Sequence, residues 1–402
     1  MNKTAFLLVL CFFLAAGIAV SMDFGLVISQ EAAVEEDVFQ YTPAAGPWFS
    51  GRLGEKLRFH LSGKAALKYT DTDGWRDDPL FLLEAGRSEL TWFASPSLYV
   101  RLGRQEFRDP SGLAASGLFD GASASFSAGG GRFLAGAYYT GLLYKDTADI
   151  IMSGRDKEDH DESFSNGGGY FASRRIVAAL QWENPAAGPR SSFSLGLLGQ
   201  LDCNGGEDEY NSQYLSGRYG VRLSNTGLEA AAALGAGEDP DGNLSLFFTG
   251  SLGLDRRFSV AQDARLGIRG IYSSPDTGGR VSPFLPINSL PQGQVFSPAL
   301  GGISVIKGFC TLRPLRTLAL GAECSWFIRM DTVSFEDNVE PGKLKNSGYF
   351  LGGEAYGTVN WTPAPDMAFS IGGGAFFPAL GNAFESDAKI RWKASAGIIL
   401  SL

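Results

Sequence analysis

The stretch "EKLRFHLSGKAALKY" (residues 55–69) alternates with a period of two. Leu57, Phe59, Leu61, Gly63, Ala65, Leu67 and Tyr69 fall on one side, and Lys56, Arg58, His60, Lys64 and Lys68 fall on the other. Successive side chains of a strand point to opposite faces, so this segment reads as a strand with one oily face and one cationic face. The pattern returns at the end of the chain in "KIRWKASAGIILSL" (389–402), with Ile390, Trp392, Ala394, Ala396 and Ile398 against Lys389, Arg391 and Lys393. "NLSLFFTGSLGL" (243–254), "RTLALGAECSWFIRM" (316–330) and "DMAFSIGGGAFF" (366–377) alternate in the same way.

The connections sort into two kinds. Short turns fall near 94–97, 129–132, 184–189, 224–227, 257–261, 313–317 and 362–366. Longer polar loops fall near 71–79, 108–118, 145–167, 203–211, 238–243, 274–300, 332–346 and 379–387. Strict exchange of short and long is the asymmetry of an outer-membrane barrel, with short periplasmic turns and long outer loops. Trp92, Trp182 and Trp361 each precede a short turn, as do Trp48 and Phe49 if 51–55 is also a turn, which places an inner aromatic girdle there. The expected fold is all-β: a transmembrane antiparallel up-and-down barrel of about 18 strands. The count is 16 if "VFQYTPAAGPWFS" (38–50), with Pro43 and Pro47, is not a strand.

Composition agrees. The 402 residues include 53 Gly and 12% aromatics, only 19% are charged, and mean hydropathy is −0.01, too low for a helical membrane protein. The net charge of −9 argues against a nucleic-acid partner. Residues 1–21 read as a cleavable export signal: Lys3, the apolar run "AFLLVLCFFLAAGIAV", and a small-x-small site at Ala19-Val20-Ser21 before Met22. Residues 22–402 then form one barrel in a bacterial outer membrane, reached through the barrel-assembly machinery and surrounded by outer-membrane lipid. Cys310 and Cys324 flank one hairpin on a diagonal, so no disulfide is expected. The sequence has no Cys-x-x-Cys and no Cys/His cluster, and neither a metal nor a cofactor is implied.

If the apolar face meets lipid, the opposite face lines a lumen. The cations sorted to that face are Lys56, Arg58, Lys64, Lys68, Arg101, Arg218, Arg222, Arg265, Arg269, Lys307, Arg329, Lys389, Arg391 and Lys393. The acids sorted there are fewer: Glu89, Glu229, Asp255, Glu323 and Glu354. Rings of Arg and Lys in a narrow passage favour anions. The loop 274–302 holds five prolines together with Phe284, Leu285, Ile287, Leu290, Val295 and Phe296. An apolar, proline-stiffened segment is poorly suited to open water, so it is expected to fold into the pore as a constriction. The acidic segment 145–169 is expected at the surface as a lid.

His60 and His160 are the only histidines, one in the cationic stripe and one in an acidic loop, which leaves a barrel hydrolase without its base. "RLGRQEFRDPSG" (101–112) followed by "GLFDGASASF" (117–126) resembles the strand–loop–strand signature of the alginate-export-like barrels and related porins. That resemblance implies 16 to 18 strands, a basic lumen, gating loops, and Arg101, Arg104 and Gln105 in the pore wall. Strict alternation instead sends Arg101 and Gln105 inward and Arg104 outward. The expected activity is passive passage of small hydrophilic solutes, anions preferred, with no enzymatic step. The rival is a surface adhesin or structural barrel whose lumen is plugged.

Overall fold

The structure is a computed structural model. It describes residues 20–35, 38–72, 75–76, 79–162, 169–205, 208–238, 242–259, 263–332 and 344–402. Most of the expected export signal lies outside these residues, while Val20 and Ser21 begin the first strand.

In chain order the strands are β1 (Val20–Glu35), β2 (Val38–Leu53), β3 (Leu57–Thr72), β4 (Trp75–Arg76), β5 (Leu80–Ser95), β6 (Leu98–Arg108), β7 (Ser116–Ala128), β8 (Gly131–Tyr139), β9 (Arg175–Gly188) and β10 (Ser191–Asp202). They continue as β11 (Asn211–Leu223), β12 (Thr226–Glu238), β13 (Leu244–Phe258), β14 (Ala264–Ser273), β15 (Ile303–Leu315), β16 (Leu318–Arg329), β17 (Phe350–Ala364), β18 (Met367–Phe377) and β19 (Arg391–Ser401). Each wall strand pairs antiparallel with its chain neighbours, and β1 closes onto β19 from Val27↔Ser401 to Glu35↔Lys393. The two-residue β4 belongs to the β3–β5 loop, so the wall has the 18 remaining strands. Closure leaves no open edge on the sheet as a whole, the condition a sheet must meet to sit in lipid.

The count of 18 depends on β2, the strand with two prolines. β1 pairs with it without a break from Val20↔Leu53 to Glu35↔Val38. On its other side, the pairing with β3 skips Pro43 and Pro47. The missing N–H groups fall where the ladder is already interrupted, so the prolines are tolerated.

The outward face is apolar along the whole belt: Phe24, Leu83, Leu180, Leu197, Leu252 and Ile371 are all more than half exposed. Such a belt on a closed barrel is a lipid-facing surface. Trp92, Phe126, Phe133 and Trp361 lie exposed near the short turns, and Trp182 stacks on Phe133 at 6.3 Å. Trp48 departs from the expected girdle. It shares the inner face with His60, stacked at 6.4 Å, and Gly25 leaves the space its ring occupies. Phe49 faces lipid in its place, against Phe24. Cys310 lies opposite Ala322 and Cys324 opposite Gly308, a diagonal, and the three described cysteines are free.

The short-turn half of the barrel keeps a polar interior, whereas the long-loop half is filled. Among the residues packed there are Phe107, Tyr138, Val177, Tyr214, Phe247 and Phe327 from the wall, with Leu113, Ile150, Ile287, Val295 and Phe384 from the loops. The β8–β9 loop carries two short helices that have no helical period in the sequence: α1 (Lys145–Ala148) and α2 (Gly154–Asp161). The surface lid expected there is only partly exposed, since Ile150, Met152 and Asp156 are buried. Asp156 forms a capping box with Ser153, accepts from the Met152 amide, and pairs with Arg175, which also holds Asp202 at 3.1 Å. All three charged side chains are nearly inaccessible. Removing one partner of a buried pair costs about 3–5 kcal/mol. The Asp156→Ala variant is therefore expected to become sensitive to trypsin at Arg155 and Lys157, while the barrel still migrates as a folded band on an unheated gel.

Candidate functional site: the barrel lumen

Alternation places Arg58 of β3, Thr91 of β5 and Arg101 of β6 in one inward row, since Arg58 pairs with Thr91 and Thr91 with Arg101. The row continues to Ser123, buried on β7. Arg58 lies 4.7 Å from the ring of Phe93, and Arg101 lies 5.7 Å from that of Tyr99. Stacking on an aromatic face holds a guanidinium without neutralising it. These groups line a cavity of about 570 Å³ with Arg52, His60, Arg87 and Glu89. Lys64 and Lys68 continue the inner face of β3 towards the long loops, opposite Glu84 and Leu80. Among the described residues, Arg58, Lys64, Lys68, Arg101 and Arg222 have no carboxylate within 4.0 Å.

On the other side of the lumen most cations are paired, Arg222 of β11 excepted. Glu229 on β12 pairs with Arg218 of β11 and, at 3.4 Å, with Arg269 of β14. Arg265 pairs with Asp255 at 2.9 Å and Lys307 with Glu323 at 3.4 Å. Arg391 and Lys393 share Glu35 near the long-loop rim, at 3.3 and 3.5 Å. Most of the cations without a carboxylate within 4.0 Å, namely Arg58, Lys64, Lys68 and Arg101, thus lie on the β3–β6 side.

Three of the expected lumen cations lie elsewhere. Lys56 is exposed in the turn between β2 and β3, because the strand begins only at Leu57. Lys389 is exposed in the loop before β19, which begins at Arg391. Arg329 points inward but is fully buried, donating to the carbonyls of Gly348 at 2.7 Å and Lys345 at 2.5 Å, so it ties down the β16–β17 loop. Glu354 is likewise occupied by structure. Its carboxylate accepts the amides of Gln294, Val295 and Phe296 at 2.7–2.9 Å.

Sequence reasoning passed over Arg52, Arg87 and Arg132. Arg52 lies on β2, whose prolines argued against a strand. Arg87 has the parity of lipid-facing Phe81 and Leu83 yet bonds Glu89 at 2.5 Å, because the β3–β5 register shifts between Leu61 and Gly63. Arg132 pairs with Glu183 at 2.5 Å across β8 and β9. The first two could have been found only by allowing a bulge or a broken ladder in the alternation, whereas Arg132 alternates regularly with outward Phe133 and falls in the stretch 129–132 that reads as a short turn.

The loop 274–302 lies inside the barrel and is fastened at several points. Phe284 packs edge-on to Phe247 at 5.6 Å and stands 6.4 Å from Tyr214, whose hydroxyl donates to the Leu285 carbonyl at 2.8 Å. Phe296 stacks on Phe376 at 4.2 Å and meets Phe327 at 5.1 Å. Ile287 is fully buried, and Leu290 is partly so. This loop meets a second inward element that the sequence did not single out, the tip of the β6–β7 hairpin. Ile287 donates its amide to Ala114, and the Asn288 side chain bonds both the amide and the carbonyl of Ser116. Asp109 fixes that tip by accepting the amides of Ser111, Ala114 and Ala115. Further out, burial pushes the Asp149 carboxyl above its usual range, against the opposing pull of His160. Truncating a buried Phe costs about 3–5 kcal/mol. Phe296→Ala is expected to free this end of the loop and appear as added open-state current noise, with unchanged circular dichroism.

Arg104 takes the outward direction that alternation assigned it, opposite Asp120, while Gln105 is fully buried inside.

No protein-family model matches the chain, and no curated protein matches it. Solved structures do. The chain is similar to the outer membrane protein OpdK of Pseudomonas aeruginosa (TM-score 0.63, 11% identity, 95% of this chain and 99% of that one). It is also similar to OpdQ of that organism (0.62, 12%, 96% and 99%). The third is the outer membrane protein OprD of Pseudomonas aeruginosa (0.61, 14%, 95% and 94%). At these identities the likeness is one of fold.

Proposed function

We propose that this protein is a bacterial outer-membrane channel for passive passage of small hydrophilic solutes, with a preference for anions. The observation that carries the preference is the row of Arg58 and Arg101, held on aromatic rings with no carboxylate partner, in a cavity that opens on the polar half of the lumen. Unneutralised cations in a narrow, low-dielectric passage raise the local anion concentration. The inward loop 274–302 and the hairpin tip 109–115 act as the constriction. The likeness in fold to outer membrane proteins of Pseudomonas aeruginosa supports the channel reading in kind. The resemblance of residues 101–126 to alginate-export-like barrels rests on that segment alone.

A liposome swelling assay tests this reading. Liposomes carrying the purified barrel are expected to take up a small dicarboxylate faster than a diamine of equal size. Equal rates would remove the anion preference and leave the channel. Failure of both solutes to enter would favour the plugged barrel, a reading that the tight burial of Phe284, Ile287 and Phe296 gives some ground for.

A further inference from the structure

Arg104 and Asp120 face each other across β6 and β7 on the lipid-facing parity, beside exposed Leu102. The guanidinium donates to Asp120 through Nε at 2.9 Å and Nη2 at 2.8 Å, and to the carbonyls of Ala85 at 2.6 Å and Leu142 at 2.8 Å. Arg104 lies four residues above Val100, which pairs with the girdle residue Trp92. At the usual rise and tilt that is about 10 Å above the girdle, inside an apolar band about 25 Å tall. An ion pair there is costly unless covered, and such charges usually serve transport.

The wall is interrupted at this point. Among the described residues, β5 pairs with β3 up to Leu80, but with β6 only from Ser88 to Ser95. Above Arg104, β6 departs with its hairpin tip into the lumen. In lipid every backbone group needs a partner. Here the β5 carbonyls of Leu83 and Ala85 are met by side chains, the Tyr170 hydroxyl at 2.5 Å and Arg104.

A small panel from the β8–β9 loop fills the gap. Tyr144 pairs with Phe171, Lys145 donates to the Tyr170 carbonyl at 3.0 Å, and Ala172 donates to Leu143 at 2.9 Å. Its outer surface is apolar, with Leu142 and Phe171 more than half exposed beside Leu83. Behind it lies a small cavity of about 30 Å³, which runs from Glu84, Arg104 and Tyr144 to the lumen-side residues Phe119, Ile150 and Asn288. The far end of the panel is riveted: Thr140 bonds Ser173 and Arg175, and Arg175 holds Asp156 and Asp202. One end is thus fixed by buried charges, and the other is latched by side chains instead of a strand ladder.

We propose that this panel is a lateral gate between the lumen and the hydrocarbon of the bilayer. It would pass an amphipathic anion whose head group displaces Asp120 from Arg104 and whose apolar body lies along Leu142 and Phe171. This route is separate from axial passage and uses other residues.

The test is thiol labelling in bilayers, in a chain with Cys203, Cys310 and Cys324 replaced by serine. Leu143→Cys reports the buried side of the panel, and Leu198→Cys reports a buried wall position away from it. The reagent is a lipid-soluble alkyl maleimide. Adding Tyr170→Phe removes the latch bond to Leu83 and is expected to speed labelling at 143 by about fivefold to tenfold, with no change at 198. Slow labelling at 143 in both backgrounds would overturn the gate. So would equal acceleration at both positions, because that reports general loosening. Decanoate is expected to protect position 143 in the Tyr170→Phe background and decylamine is not; protection by neither would overturn the anionic head group.

Discussion

Deleting residues 280–298 is expected to raise single-channel conductance about three- to fivefold while the barrel stays folded. Barrels of 16 to 18 strands are too wide for their own side chains to fill, and the loops decide how much of the bore is open. Here the deleted segment contributes Phe284, Ile287, Val295 and Phe296 to the packed half of the interior. Its removal also withdraws the Leu285 carbonyl from Tyr214 and the three amides from Glu354. The wall keeps its strand ladder without it and loses only the bridge between Leu246 of β13 and residues 280–282. β14 and β15 pair from Arg265↔Thr311 to Tyr272↔Ser304, and the Ser273 hydroxyl bonds both the carbonyl and the amide of Ile303 at 2.8 and 2.9 Å. The two ends of the loop therefore already meet, and a short closure joins them without strain. Planar-bilayer recording checks the result. An unchanged conductance would move the narrowest point to the hairpin tip at 109–115.

The second large effect is on selectivity. Replacing both Arg58 and Arg101 by Glu is expected to turn an anion-preferring channel into a cation-preferring one. Each change moves the local charge by two units, and neither cation has a carboxylate neighbour to absorb the change. The contrast is Arg265→Gln, which disrupts a pair with Asp255 and leaves a carboxylate exposed to the lumen. That variant is expected to weaken the anion preference without inverting it. Reversal potentials in a salt gradient at about 0.1 M distinguish the two, since the Debye length there is about 10 Å and each cluster still acts across its own part of the lumen. If the double variant keeps its anion preference, the β2–β6 row does not set selectivity.

The barrel was legible because alternation is local. A strand such as 55–69 declares its two faces by itself, and the sorting of short and long connections orders the strands without any contact being known. What stayed hidden depends on partners. Arg87 turns inward only because β3 and β5 slip by a bulge, and no periodic template contains that slip. Arg329 and Glu354 sit on the expected face, yet their charges are taken up by loop carbonyls and amides, which sequence order does not bring near them. Trp48 left the girdle because Gly25, on the neighbouring strand, made room for it inside. The apolar, proline-rich character of 274–302 did announce a loop that would avoid water. The small residues of 109–115 carried no such mark, and their burial follows from Asp109 and from the loop that covers them.

In the proposed function, unpaired cations line an aqueous passage and favour anions. The most direct measurement is the zero-current potential of single channels of the unaltered protein under a tenfold potassium chloride gradient. Steady conductance is expected, with a potential whose sign shows chloride as the more permeant ion. A potential of the opposite sign, or folded barrels that carry no current, would contradict it.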